Sequence, residues 1–201
     1  EATVTAISTP AETPAETPAV TLKHTDLIHQ GRIIRLERHT VEFPDGSPGQ
    51  LDVVRHPGAS AVVPFLDDPR SADPRVLLIR HFRHAAGGWL WEIPAGRLDA
   101  GEKEHPERCA HRELKEETGY TAESMTPLLS IVTTPGFSDE VINLFIATGL
   151  RKGPHAREAD EFMELHEIPL SNVRKMIRDN EITDAKTLIG LLFVQCYIAD
   201  T

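Results

Sequence analysis

The stretch GRLDAGEKEHPERCAHRELKEETGY, Gly96 to Tyr120, constrains the fold of this chain more than any other. Its second half reads as a helix from about Pro106 to Thr118. Proline suits the first turn, where its missing N–H breaks no helical hydrogen bond, and Gly119 supplies a left-handed stop. Acidic residues crowd the segment at Asp99, Glu102, Glu104, Glu107, Glu113, Glu116 and Glu117. Glu113, Glu116 and Glu117 stand at i, i+3 and i+4, so their carboxylates share one helical face. Each like-charge contact of that kind costs roughly a few tenths of a kcal/mol in water, and more where the face is shielded. Such a cluster needs a cationic partner. An oxygen-rich ligand set free of His and Cys suits Mg²⁺ or Mn²⁺ better than zinc. Arg112 lies one turn before Glu116 and can orient a carboxylate by a charge-assisted hydrogen bond. Just upstream lie an apolar strand end, Pro94-Ala95-Gly96 and a tight loop. Together they offer backbone carbonyls beside the carboxylates.

The rest of the chain limits what such a site serves. At 201 residues it is long enough for one domain of moderate size with a real core. Apolar residues make up 40% and charged residues 26%, a soluble globular balance. The formal net charge of −10, from 31 acids against 21 Lys and Arg, argues against a nonspecific nucleic-acid binder, which needs a basic footprint. A small phosphorylated ligand stays open, because metal ions reverse the local sign. Two cysteines, Cys109 and Cys196, both in expected helices, do not make a disulfide scaffold, and the expected location is a reducing cytoplasm. No apolar run is long enough to span a bilayer, so no membrane partner is expected. The N-terminus lacks a basic-then-apolar signal pattern and begins at Glu1 rather than Met.

Residues 1–22 contain the imperfect repeat PAETPAETPA and read as a disordered Pro/Thr/Ala/Glu-rich tail. Residues 23–58 read as N-terminal strands. The pattern is β-like over Gly31–Phe43, turns at Pro44-Asp45-Gly46 and resumes at Leu51–Arg55. Residues 59–201 form the main domain. Strands are expected at Ser60–Leu66, Arg75–Arg80, Trp89–Ile93, Leu128–Thr133, Val141–Thr148 and Phe162–Ile168. Ser171 is expected to cap a helix running to about Asp179, and Asp184 to cap the last one. That last helix carries apolar residues nearly all round, which places it inside the core. Strands, a helix, more strands and two helices give a mixed α/β class rather than a doubly wound sheet.

The acidic stretch resembles the Nudix box, G-x5-E-x7-R-E-U-x-E-E-x-G-U, where U is apolar. Gly96 and Glu102 fit the first half; Arg112, Glu113, Leu114, Glu116, Glu117, Gly119 and Tyr120 fit the second. The spacer from Lys103 to His111 holds nine residues instead of seven. Either the loop before the helix carries two extra residues, or Glu104 takes the place of Glu102. Outside the box, RHPGASAVVP, IRHFRHAAGGWLWEIPAG, TPGFSDE and EADEFMEL follow in the order found in the ADP-ribose pyrophosphatase branch of the Nudix family.

The resemblance implies an α/β/α sandwich with a mixed sheet, preceded by N-terminal antiparallel strands. It implies Mg²⁺-dependent hydrolysis of the diphosphate of ADP-ribose, or of another nucleoside diphosphate sugar such as GDP-mannose or ADP-glucose. A nucleotide-sensing module without catalysis is the further alternative. The implied metal ligands are the Ala95 carbonyl, Glu113 and Glu117, with Glu116 assisting. The implied catalytic base lies in the loop Glu158–Glu161, with Glu161 favoured and Glu158 and Asp160 as alternates. Arg83 is a candidate for the diphosphate or terminal ribose, Glu92 for a ribose hydroxyl or the metals, and Trp89 for the base. Phe137 and Glu140 sit in a loop that could close over substrate. A homodimer through the N-terminal strands is also implied.

Overall fold

The computed structural model describes residues 20–99, 104–153 and 163–199, with backbone alone at 197–199. These residues divide into two compact units, one ending at Arg55 and one beginning at His56.

The first unit is an antiparallel meander of β1 (Thr21–Gln30), β2 (Arg35–Glu42) and β3 (Pro48–Arg55). β1 starts at Thr21, inside the stretch that composition assigned to the tail. The β2–β3 turn falls on the Pro-Asp-Gly signal, where Asp45 Oδ1 accepts from the N–H and Oγ of Ser47 at 2.9 and 2.6 Å. Alternation along β2 buries Glu37, His39 and Val41 on one face. A buried carboxylate needs partners, and Glu37 has three. Its oxygens meet Arg35 Nη2 at 2.5 Å, Arg55 Nε at 2.8 Å and His39 Nε2 at 3.0 Å. The hydrogen bond from Arg55, reinforced by His39, holds the Glu37 pKa down at about 2.

The second unit is built on β4 (Ala59–Pro64), buried at every position. β5 (Arg75–Arg83), a 3₁₀ turn at His84–Ala86, β6 (Gly88–Glu92) and β7 (Ala95–Arg97) follow, then α1 (Pro106–Thr118) and the short β8 (Tyr120–Thr121). β9 (Ser124–Val132), β10 (Val141–Thr148), β11 (Arg151–Lys152), β12 (Met163–Pro169), α2 (Leu170–Arg178) and α3 (Ala185–Ala199) complete it. β4 and β10 run parallel at the centre of a four-stranded sheet ordered β7-β4-β10-β9. A second sheet, β12-β5-β6, is antiparallel, and β8 pairs with β11.

Continuous apolar runs belong in central strands covered on both faces, and the pleat of β4 and β10 shows the two coverings. Ala59, Ala61 and Val63 join Ile142, Leu144 and Ile146 in one cluster with Val173 of α2 and Leu191 and Val194 of α3. Val62, Phe145 and Ala147 form the other with Ala110 and Leu114 of α1. This is an α/β/α sandwich, as the resemblance implied.

Helix α1 spans Pro106–Thr118, as the capping signals require. Gly119 takes φ 74°, and its N–H reaches the Lys115 carbonyl at 2.9 Å. Asp184 caps α3 as expected, its Oδ2 accepting from the Thr187 N–H at 3.0 Å. Two expectations change. The N-cap of α2 is Pro169, and Ser171 lies within the helix; Asp73, from the loop before β5, accepts from the Ser171 N–H and Oγ at 2.9 and 2.8 Å. A distant aspartate thus does the work assigned to a local serine. Nor is α3 enclosed on all sides: Leu191 and Val194 are buried, while Ile189 and Leu192 are exposed. An all-round apolar sequence reports hydrophobicity, not which side a sheet covers.

Leu114→Ala, which empties a fully buried position between α1 and β4, is expected to cost about 2–5 kcal/mol of unfolding free energy by denaturant titration. Because folding lowers the Glu37 pKa from 4.5 to about 2, its contribution is complete above pH 4.5 and is lost as pH falls toward 2. Hydrogen-exchange protection factors in β2 and β3 should drop across that window, and Glu37→Gln should reduce the dependence to the share carried by Asp45 and Asp52, whose carboxyls Ser47 and Arg38 hold below their ordinary range.

Candidate active site

Helix α1 turns its apolar side to the sheet and its charged side toward β7 and the loop before it. Cys109, Ala110 and Leu114 are buried. The Cys109 thiol points at the carbonyls of Gly96 and Arg97, at 3.5 and 3.4 Å. Burial pushes its pKa up to about 11, so it stays a neutral thiol. On the charged side Arg112 uses every edge of its guanidinium. Nε and Nη2 donate to the two oxygens of Glu104 at 3.1 and 2.9 Å, and Nη2 also reaches the Arg97 carbonyl at 2.9 Å. Nη1 donates to Glu113 at 2.5 Å and to Glu116 at 2.9 Å. The bidentate bond to Glu104 leads the causes that raise the Arg112 pKa and, reciprocally, hold the Glu104 carboxyl below its ordinary range. Glu104 also accepts from the Asp99 N–H at 3.1 Å. Glu102, the other candidate for this box position, lies outside the described residues.

Glu117 is 3% exposed, and its Oε2 accepts from the Ala95 N–H at 2.8 Å, which ties the helix to the Pro94-Ala95-Gly96 turn. Glu113 packs so closely over Gly96 that an added Cβ there would stand 1.9 Å from its Oε1. Gly96 is therefore required by contact, and the missing side chain leaves a carboxylate lying against a strand backbone. Among the described residues no three His, Cys, Asp or Glu side chains are gathered as a finished metal cage; Arg112 and the Ala95 N–H hold the carboxylates instead. The donor chemistry nevertheless fits a hard divalent cation: three carboxylates and a neighbouring backbone, all oxygen.

Arg83 and Glu92 are brought together. Arg83 Nε and Nη2 donate to Glu92 Oε1 and Oε2, both at 2.7 Å. Glu92 is 1% exposed; burial opposes its ionisation, yet Arg83 and Lys186 hold its pKa down at about 2. Lys186 donates to Glu92 Oε2 at 2.6 Å and to Asp184 Oδ2 at 3.0 Å. Sequence alone gave Lys186 no role. Its one visible signal was its place two residues after a helix cap, and no local pattern predicts a partner 94 residues away. Both Glu92 oxygens are thus taken up by cations.

Trp89 is placed elsewhere. β5–β6 pairing sets Trp89 opposite Phe82 and Trp91 opposite Arg80, whereas Glu92 lies opposite Ile79. The pleat sends Trp89 and Glu92 to opposite faces. Trp89 stacks edge-on with Phe82 at 5.7 Å, and Arg80 lies over both Trp rings. Phe137 is exposed. Glu140 accepts from Thr133 Oγ1 at 2.8 Å and stands 3.4 Å from His56 Nδ1. The register Ile142–Ala59–Arg97 sets their loop at the sheet end where β7 leaves for the box loop. Glu158, Asp160 and Glu161 lie outside the described residues.

Comparison with protein families matches the NUDIX domain over residues 55–188. The chain is 38% identical over 173 residues to a methanol dehydrogenase activator of Bacillus methanolicus, covering 85% of this chain and 90% of that one. It is 38% identical over 170 residues to an ADP-ribose pyrophosphatase of Bacillus subtilis (strain 168), covering 84% and 88%. A crystal structure described as ADP compounds hydrolase superposes with a TM-score of 0.77 at 22% identity, over 90% of this chain and 95% of that one, and shows the same fold. With the box helix, its arginine and its glycine contact in place, this chain belongs to the NUDIX domain family.

Proposed function

We propose that the protein hydrolyses the diphosphate of ADP-ribose to AMP and ribose 5-phosphate, with Mg²⁺ as its ion and Mn²⁺ as a substitute. The observation that carries this reading is the fixed carboxylate face of α1: Arg112 holds Glu104, Glu113 and Glu116, while the Ala95 N–H holds Glu117. The substrate is suggested by the name of the Bacillus subtilis relative.

Glu113, Glu117 and the Ala95 carbonyl would hold the metal, with Glu116 assisting. When bound, a divalent cation neutralises diphosphate charge and lowers the pKa of a coordinated water. The remaining work is positioning and electrostatics. Arg83 has two N–H groups committed to Glu92, which leaves three donors of its fork for phosphate oxygens. Glu161, with Glu158 and Asp160 as alternates, takes the proton of the attacking water; the water oxygen bonds to one phosphorus and the bridging P–O bond breaks. Phe137 and Glu140 contact the nucleoside or sugar from their loop. The protein acts in the cytoplasm as a homodimer joined through β1–β3.

Assayed with Mg²⁺ on ADP-ribose, ADP-glucose and GDP-mannose, the protein is expected to turn over ADP-ribose best; turnover of none of them sinks the enzyme reading, and preference for GDP-mannose sinks the substrate alone. Glu117→Gln is expected to lower kcat on the order of 10²–10³-fold, and near-normal turnover would remove Glu117 from the ligand set. Light scattering at micromolar concentration is expected to give twice the 22.3 kDa chain mass.

A further inference from the structure

Lys186 and Thr187, at the start of α3, grip Glu92 at the end of β6 and Ile93 just after it. Lys186 Nζ bonds Glu92, and Thr187 Oγ1 accepts from the Ile93 N–H at 2.9 Å. Asp184 Oδ2 gathers the same segment, accepting from Lys186 Nζ at 3.0 Å, the Thr187 N–H at 3.0 Å and Thr187 Oγ1 at 2.6 Å. Glu92 and Ile93 lead directly into Pro94 and Ala95, the turn whose N–H holds Glu117.

We infer that Lys186 is a positioning residue that acts on substrate through Glu92 and Arg83. Glu92 is almost wholly buried, while Arg83 keeps 40% of its side chain exposed. The carboxylate is therefore the anchor and the guanidinium the group offered outward. A carboxylate held by a single fork can still swing with it. Lys186, from α3, adds a third bond at Oε2, which Arg83 Nη2 also holds, and its Nζ is itself held by Asp184 with 12% of the side chain exposed. The plane of Glu92 then sets the plane of Arg83, since two parallel N–H···O bonds fix their relative orientation. Glu117 lies close enough to Arg83 to contribute to its raised pKa, after the dominant bond from Glu92, so the oriented guanidinium shares a field with the candidate metal ligands. A shift of about 1 Å in such a group is enough to lower turnover on the order of a hundredfold.

This inference rests on the reading of Arg83 as a diphosphate contact, and two readouts separate the two. In the free protein, the NMR Nε–H resonance of Arg83 is expected to be protected from solvent exchange, and Lys186→Met to broaden it or remove that protection. In the ADP-ribose assay Lys186→Met is expected to raise KM and lower kcat/KM about ten- to hundredfold. Lys186→Arg is expected to restore both values. Arg83→Lys should give a similar loss, and the double variant no further loss, because Lys186 acts through Arg83. A helix merely loosened at its start would lower Tm and the active fraction but leave KM unchanged. An unchanged Arg83 resonance in Lys186→Met overturns the inference whether or not the protein turns over ADP-ribose. Unchanged KM in an active Lys186→Met protein, or additive losses in the double variant, also overturns it. Absence of wild-type turnover on every nucleotide sugar overturns the proposed function alone. Should Lys186→Met fail to fold, Lys186→Gln carries the same measurements.

Discussion

The acidic face of α1 depends on one guanidinium placed among carboxylates. Three acids on a single helical turn repel one another, and burial sharpens the repulsion. Arg112 lies within hydrogen-bond reach of Glu104, Glu113 and Glu116 and of the Arg97 carbonyl, so one charge both relieves the cluster and fixes its geometry. Arginine suits this because its donors form a rigid fork; a lysine would supply the charge without the orientation. The same network reaches Asp99, whose N–H also donates to Glu104.

The second support comes from the opposite layer. α1 covers one face of β4 and β10, and α3 covers the other. Between them runs the short path from Glu92 to Gly96. On one side Glu117 and Glu113 press against Ala95 and Gly96; on the other Lys186 and Thr187 hold Glu92 and Ile93. A turn held from two helices has little freedom to move, which is what a site that works by positioning needs. Family membership fits this economy: the fold supplies a rigid carboxylate face, and members are expected to need a divalent metal to complete it.

Legibility in the sequence followed the range of the interactions. The limits of α1, its glycine stop and the cap of α3 were readable because proline, glycine and aspartate act on backbone groups within a few residues. So was the shared face of Glu113, Glu116 and Glu117, which helical periodicity alone dictates. The partner of Ser171 at the start of α2 is not legible in the sequence, because its acceptor, Asp73, lies 98 residues away. Trp89 and Glu92 stand three apart in one strand, so the pleat turns them to opposite faces, and only pairing with β5 shows that Arg83 shares the face of Glu92.

By itself, then, the sequence determined the mixed α/β class, the helix that carries the acids and the single face on which Glu113, Glu116 and Glu117 lie. Those follow from local backbone chemistry and from charge counted along one helix. Tertiary structure alone decided that Glu104 pairs with Arg112, that Glu113 lies over Gly96, and that Glu92 is shared between Arg83 and Lys186. Each of these joins residues from different elements, and a buried charge takes its partner from whichever element packs beside it, which no single stretch of chain records.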